Sequence, residues 1–131
     1  VTGVQTCALP ISLEEEGTFI FDVHSTYKID SVFPEYSYHY QTEEFAFLWD
    51  SYAGEKEHSI EHFLTFFVKE QETDEYFVRY DELHQERTYS LDNYLRMLES
   101  AGFMNVKVYA DFTDEAPTET SERWFFVCQR D

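Results

Sequence analysis

Residues 17–25 read GTFIFDVHS, and this stretch decides how the rest of the chain is interpreted. Its first half is a nearly unbroken run of β-branched and aromatic side chains, which is typical of a strand covered on both faces. Polar residues follow together at its far end, as Asp22, His24 and Ser25. Ligands of open α/β sheets bind just past the carboxyl ends of the strands. The stretch therefore predicts a sheet centre and the mouth of a site, although a core strand running into a polar loop is the alternative.

The composition indicates one globular, strongly acidic domain, or part of one. The 131 residues are 43% hydrophobic and 19% aromatic, which is enough to bury a core without disulfides or metals. A formal net charge of −18 repels phosphate backbones and anionic membranes, so a neutral or cationic small molecule is the favoured partner. The two cysteines have no redox or metal spacing, and no apolar run is long enough for a membrane helix. We therefore expect a cytoplasmic protein that binds neither nucleic acid nor membrane through this segment.

Residues 1–12, VTGVQTCALPIS, differ from everything that follows. They carry no charge and show no clear periodicity, and they resemble a translated sequencing adapter. We therefore exclude them from functional interpretation and expect a truncated chain whose natural part is residues 13–131. An ordinary N-terminal extension is the alternative. Residues 13–16 then predict the last turn of a helix, with Gly17 as its C-cap.

The remaining elements follow from periodicity and from turn residues. Apolar residues after the N-cap Ser90 recur at helical spacing up to Gly102, which predicts a helix. Three runs with strand character and short connections predict an antiparallel meander. The predicted elements are, in order, a strand at 18–24, a Tyr-rich loop at 25–41, strands at 45–52, 57–69 and 76–89, a helix at 90–102, and strands at 103–109 and 124–129.

Three segments, taken in their order and spacing, carry a resemblance to a known family. They read LEEEGTFIFDVHS, ERTYSLDNYLRMLESAGFMNVKVYADF and SERWFFVCQR. Together they resemble the C-terminal half of a class I SAM-dependent methyltransferase of the small-molecule type. In that family a Gly turn precedes the fifth strand, Ala-Gly-Phe precedes the sixth, and a seventh strand inserts antiparallel between them. The resemblance implies a truncated Rossmann-like α/β fold (strands 5, 7 and 6 with one main helix) with a three-stranded antiparallel insertion at residues 45–89.

The resemblance implies the cofactor S-adenosylmethionine (SAM) but assigns no residue that binds it. The family holds SAM through a Gly-rich turn after its first strand and through acidic or polar residues after the second and third. The four glycines of this chain lie too far apart for such a turn: Gly3, Gly17, Gly54 and Gly102. We therefore assign no cofactor-binding residue. We expect this chain alone to be an inactive fragment that supplies the acceptor side of a methyltransferase active site.

His24 is the candidate general base, because an acceptor hydroxyl or ammonium must lose a proton during methyl transfer. Asp22 lies two residues earlier on the same strand face and is predicted to orient the ring. The alternative is that His24 only caps the end of the strand. His58 and His62 do not predict a shared zinc site, because four residues of strand separate their rings by about 13 Å.

The candidates for binding the methyl acceptor are aromatic or titratable side chains of the loop and the insertion: Tyr27, Trp49, Tyr52 and His84. The three aromatic residues would form part of a wall for a cationic or apolar acceptor. Packing within the insertion is the simpler explanation for them, and a solvated sheet face is the simpler one for His84.

A second hypothesis treats the chain as a complete, non-enzymatic α+β module that binds a small aromatic or apolar ligand. The two hypotheses differ in topology. The methyltransferase fragment places the strand at 18–24 beside the one at 124–128, and that one beside 106–109, whereas the module predicts one continuous antiparallel sheet. The fragment also leaves one edge of the first strand unpaired, so we expect edge-strand self-association.

Overall fold

The computed structural model describes residues 13–73 and 75–129, which form two compact units. The first unit comprises residues 13–28 and 88–129 of the described chain, and the second is Ile29–Arg87. The interpretation of residues 1–12 lies outside the described residues. The elements are β1 (Thr18–His24), a π-helical turn (Lys28–Val32), β2 (Ser37–Gln41), β3 (Phe45–Ala53), β4 (Ser59–Lys69), β5 (Phe77–Arg87), α1 (Leu91–Ser100), β6 (Asn105–Ala110) and β7 (Arg123–Gln129).

The first unit contains a three-stranded sheet in the order β1-β7-β6. The central strand β7 is antiparallel to both neighbours, so β1 and β6 run in the same direction. Phe126 of β7 lies opposite Phe21 on one side and opposite Val108 on the other. The predicted order of these strands is confirmed. The meander forms a separate sheet, so the continuous sheet of the binding-module hypothesis is not found among the described residues.

One face of this sheet packs against α1 to form the core of the first unit. Side chains of β7 alternate between faces, so Trp124, Phe126 and Cys128 are buried against the helix. Leu98 is the buried residue of α1 in this core. The rings of Phe126 and Phe21 stack with their centroids 4.7 Å apart. No helix in the described part of the chain combines the length and the apolar character that crossing a membrane requires.

The glycines at the two predicted helix ends behave differently. Gly102 has a φ of 97° and follows α1, as predicted for a residue that ends a helix. Gly17 lacks the positive φ of such a cap, which Glu16 adopts instead (φ 62°). A Cβ on Gly17 would lie 2.8 Å from the carbonyl oxygen of Glu14. Gly17, predicted as a C-cap, therefore does not adopt the left-handed conformation typical of a glycine in that role. The close approach of the turn is what requires glycine there.

Strand β1 is covered on one face within the described residues, and the prediction of two covered faces is wrong for them. Phe19, Phe21 and Val23 pack against the core, while Ile20 on the opposite face is 62% exposed. The strand alternates in burial, but Ile20 occupies a position where an alternating strand would carry a polar residue. Because Ile20 is apolar although its position is exposed, the sequence of β1 resembles that of a strand buried on both faces.

The second unit is a four-stranded antiparallel sheet in the order β2-β3-β4-β5. The predicted three-stranded antiparallel insertion at residues 45–89 is confirmed as β3, β4 and β5. The prediction of a loop over 25–41 is wrong in part, because Ser37–Gln41 of the Tyr-rich stretch forms β2 and adds a fourth strand to this sheet. Tyr38 and Tyr40 lie on one face of β2, and both rings contact the ring of Phe47 on β3, with centroids 5.8 and 6.2 Å apart. Cross-strand aromatic pairs of this kind stabilise a sheet edge that has little intrinsic apolar pattern.

We expect Phe126→Ala to lower the free energy of unfolding by about 3–5 kcal/mol, because it removes a fully buried ring from the core. The matched control is Phe125→Ala, whose ring lies on the other face of β7 and contacts the exposed Phe112. We expect this control to cost about 1 kcal/mol. Urea titrations monitored by circular dichroism measure both losses. Equal losses would contradict the assignment of the two faces.

Burial raises the pKa of the Cys128 thiol to about 11, so we expect this cysteine to be unreactive in the folded protein. The thiolate is the reactive form, and a Cys7→Ser background leaves Cys128 as the single thiol of the sequence. At about pH 8, iodoacetamide should modify Cys128 only after denaturation. Above pH 9.0 the unfolded thiol ionises first, so the free energy of unfolding should fall as the pH approaches 11. Rapid alkylation of the native chain would contradict this prediction.

Candidate functional site

A cluster of three charged or titratable side chains lies at the carboxyl end of β1, on the sheet face opposite α1. We call Asp22, His24 and Arg123 the β1 cluster. Arg123 is directly opposite His24 in the β1–β7 register. Its Nη1 forms an ion pair with the carboxylate of Asp22, and its Nη2 donates a hydrogen bond to Nε2 of His24 at 2.9 Å. The guanidinium also lies over the ring of Phe112, 5.9 Å from its centroid.

Asp22 and His24 share a strand face, as expected, but Arg123 lies between their polar groups. A guanidinium has hydrogen-bond donors and no acceptor, so Nε2 of His24 is the acceptor of this bond. The neutral ring then carries its proton on Nδ1. Asp22 and His24, which were predicted to pair directly, are therefore linked through the guanidinium of Arg123.

The backbone at His24 is fixed by buried hydrogen bonds. The carbonyl oxygen of His24 accepts a bond from Oγ1 of Thr88 at 2.6 Å, and the Thr88 hydroxyl also contacts that of Tyr94 at 3.1 Å. Burial raises the pKa of the Tyr94 hydroxyl, which keeps it neutral. The next residue, Ser25, is 1% exposed, and its hydroxyl donates to the carbonyl of Ser121 at 2.5 Å.

The start of β7 is fixed by a carboxylate of the preceding loop. Oδ1 of Asp111 accepts the backbone N–H groups of Glu122 and Arg123, at 2.8 and 2.9 Å. Asp111 and Phe112 both adopt left-handed conformations, with φ of 51° and 60°. Phe112 is 80% exposed, and a left-handed non-glycine residue of this kind costs about 1–2 kcal/mol. The loop thus holds Phe112 beside Arg123 in spite of backbone strain.

Three of these residues, Thr88, Asp111 and Arg123, were not predicted from the sequence. A signal for Arg123 was present, because it immediately precedes the apolar run WFFVCQ. Antiparallel pairing of that run with the strand that ends at His24 places the residue before Trp124 opposite His24. The hydrogen bonds of Thr88 and Asp111 depend on loop conformations for which we find no sequence pattern.

A second polar cluster lies in the second unit and is centred on His62, which is 6% exposed. Nδ1 of His62 lies 3.1 Å from Nε1 of Trp49 and 2.7 Å from the hydroxyl of Ser51, and Nε2 lies 2.9 Å from Glu86. The indole nitrogen only donates, so Nδ1 accepts and the neutral ring donates its Nε2 proton to Glu86. We call Trp49, Ser51, His62 and Glu86 the His62 cluster.

The order Ser51, His62 and Glu86 resembles the hydrogen-bonded order of a hydrolytic triad. However, Ser51 is 1% exposed, and its partner nitrogen is shared with the indole of Trp49. No substrate carbonyl can reach a hydroxyl enclosed in this way. The His62 cluster therefore satisfies buried polar groups within the unit rather than forming a nucleophile.

The structure does not bring Trp49 and Tyr52 together. They are three residues apart on β3 and lie on opposite faces of the sheet. Trp49 packs against Phe33 and Tyr36. Tyr52 is 53% exposed and its ring contacts Phe63 on the other face, with centroids 5.7 Å apart. A single aromatic wall built from both residues is therefore absent in this unit.

The other two acceptor-binding candidates are at least partly exposed. His84 lies opposite His62 in the β4–β5 register, and its Nε2 is 2.7 Å from the carboxylate of Glu82. Tyr27 lies in the turn after β1 and is half-buried. Among the described residues, no group of three or more His, Cys, Asp or Glu side chains could hold a metal ion. His58 pairs instead with Asp30, at 2.6 Å.

The described glycines provide no cradle for SAM. Gly17 and Gly54 each lie where a Cβ would collide with atoms of their own turn, at Glu14 and Ser59 respectively. Gly102 ends α1 and has open space around its Cα. Each of these glycines therefore serves a local turn or helix end, and the described glycines do not form the Gly-rich turn that would hold SAM.

Two curated relatives match most of this chain, and no family model matches it. The chain is 48% identical over 118 residues to a protein of Geobacillus sp. (strain WCH70) named "Putative methyltransferase". It is 42% identical over 118 residues to the "Putative methyltransferase YqeM" of Bacillus subtilis (strain 168). Each alignment covers 90% of this chain and 47% of the relative. The chain thus spans about half the length of the curated relatives it matches.

The fold matches that of a solved SAM-dependent methyltransferase from Clostridium acetobutylicum ATCC 824. The TM-score is 0.82 at 23% sequence identity, and the match covers 98% of this chain and 50% of that chain. At this identity the likeness concerns the fold. The resemblance to class I SAM-dependent methyltransferases is confirmed, and the coverage of about half is consistent with a C-terminal half.

We expect His62→Leu to lower the free energy of unfolding by about 1–3 kcal/mol for each buried group that it leaves unpaired. Those groups are the indole N–H of Trp49 and the hydroxyl of Ser51. The matched control is His84→Leu, which removes an exposed imidazole opposite His62. We expect the control to change stability by less than about 0.5 kcal/mol. Chemical denaturation measures both, and similar losses would contradict a buried role for His62.

Proposed function

We propose that this chain, which has the fold of one half of a class I SAM-dependent methyltransferase, supplies the side of the active site that holds the methyl acceptor. The observation that carries the proposal is the place of the β1 cluster. It lies at the carboxyl end of β1, where open α/β sheets bind their ligands. The side chains of Asp22 and Arg123 are 37% and 34% exposed, so a ligand can reach them.

The proposed acceptor is a small molecule with a hydroxyl or an amine as its methylated group. The net charge of −18 favours neutral or cationic molecules over anionic ones. Within this proposal His24 is the general base, because an imidazole can take the proton that such a group loses. Asp22 acts on His24 through Arg123, and Tyr27 is the nearest proposed contact with the acceptor along the chain.

The contributions of Trp49, Tyr52 and His84 to acceptor binding stay predictions. The exposed side chains of Tyr52 and His84 are available to a ligand. The indole of Trp49 is occupied by its contacts with His62 and with neighbouring rings, which supports a packing role for it. The residues that bind SAM are proposed to belong to the other half of the domain, since the described glycines do not fit that cofactor.

Titration calorimetry with SAM tests the proposal that the residues that bind SAM belong to the other half of the domain. We expect no micromolar binding by this chain, because it lacks a Gly-rich cradle. A covalent fusion of residues 13–131 to the N-terminal half of the Geobacillus relative should bind SAM with micromolar affinity. Micromolar affinity of the unfused chain would contradict the proposal, and so would a folded fusion that does not bind.

The base is tested in the same fusion by transfer of labelled methyl groups to a panel of small amines and alcohols. His24→Gln should lower the rate about 10²–10⁴-fold, because the acceptor's proton then lacks its base. The control is His39→Gln, which changes an exposed residue of β2 and should leave the rate unchanged. Equal rates in the two variants would remove His24 from the mechanism.

A further inference from the structure

We propose that Arg123 is a positioning residue that fixes His24 in its Nδ1–H tautomer. We further propose that the bond from Arg123 to Nε2 must break before His24 can take a proton at that atom. The second statement rests on the proposed function, and the first does not. The argument uses the donor chemistry of Arg123, the contacts that hold its guanidinium, and the backbone bonds that hold His24.

The tautomer follows from the chemistry of the two partners. Nη2 of Arg123 lies 2.9 Å from Nε2 of His24. Since a guanidinium carries only N–H groups at neutral pH, a hydrogen bond between these atoms requires a lone pair on Nε2. The neutral imidazole has one N–H, which must then be on Nδ1. A proton placed on Nε2 would instead face an N–H of Arg123.

The guanidinium is held in this orientation from several sides. Asp22 forms an ion pair with Nη1, and Cζ of the guanidinium lies over the ring of Phe112, 5.9 Å from its centroid. The backbone N–H of Arg123 is itself bound to Oδ1 of Asp111 at 2.9 Å. A guanidinium that is paired, packed against a ring and fixed at its backbone stays beside Nε2 without help from a ligand.

The backbone that carries the imidazole is held by hydrogen bonds as well. The carbonyl of His24 is bonded to the buried hydroxyl of Thr88, and the backbone N–H of Ser25 donates to the carbonyl of Glu122 at 2.9 Å. These bonds fix the backbone positions from which the side chains of Arg123 and His24 meet. The tautomer is therefore a property of the resting protein.

The ion pair with Asp22 leaves Arg123 with a charged partner when its hydrogen bond to His24 breaks. If an acceptor hydroxyl or ammonium transfers its proton to Nε2, the new N–H bond displaces Nη2 of Arg123. The carboxylate of Asp22 can still accept from the guanidinium through two oxygens. Arg123 thus withholds the lone pair of Nε2 in the resting state and releases it without losing its own counter-ion.

The experiment is a long-range ¹H–¹⁵N correlation spectrum of the imidazole rings of this chain, recorded at a pH that keeps them neutral. The His24 signals are assigned by comparison with His24→Gln. We expect wild-type His24 to carry its proton on Nδ1. Arg123→Met keeps an apolar stem but removes every donor, and it should shift the tautomer ratio towards Nε2–H by about tenfold. Arg123→Lys retains a donor and should preserve the wild-type tautomer.

The matched control is Arg79→Met, which removes another arginine from an ion pair with an aspartate, Asp81, in the second unit. It should leave the His24 ratio unchanged. Wild-type His24 with its proton on Nε2 would overturn the proposal, even if Arg123→Met failed to fold. An unchanged ratio in folded Arg123→Met would also overturn it. The tautomer is measured without methyl transfer, so a failure of the proposed function in the fusion protein is a separate result.

Discussion

The antiparallel pairing of β1 with β7 is the interaction on which both the core and the candidate site depend. In this register Phe21 meets Phe126 on the face that packs against α1, and His24 meets Arg123 on the opposite face. A slip of one residue would exchange the two faces of a strand. It would turn the ring of Phe126 away from the helix and Arg123 towards the core. Burial of the aromatic face therefore fixes the polar contact as well.

Elements with strong local signals could be predicted, and the element that depends on a neighbour could not. Helix α1 was predicted because Ser90 caps it, its apolar residues recur at helical spacing, and Gly102 ends it. The sequence of β2, SYHYQ, is exposed along its length and has no such signal. Its tyrosines become strand residues because the aromatic face of β3 lies beside them, which is tertiary context.

The same distinction explains what was predicted of the candidate site. His24 and Asp22 could be chosen from their place at the end of an apolar run. The contact that joins them comes from Arg123, which is 99 residues away from His24 in the chain. Likewise His58 and His62 invite comparison as a pair, but His58 contacts Asp30 and His62 contacts residues of two neighbouring strands. The sequence placed both rings on one strand over 57–69, but His58 precedes β4 and has a φ of 54°. Their spacing in the sequence did not identify the partner of either ring.

His62 and His24 each accept a hydrogen bond from a nitrogen that can only donate, and this bond sets the tautomer of the ring. Their surroundings differ in how easily that bond can be exchanged for another. His62 is enclosed, and both of its ring nitrogens have partners inside the second unit. Protonating His62 at Nδ1 would remove the lone pair that accepts from the indole of Trp49. His24 is bonded to a partly exposed guanidinium that has a second acceptor in Asp22. Exchange of a bond is least costly where one partner keeps its counter-ion and can still contact water, and this supports the role proposed for the β1 cluster.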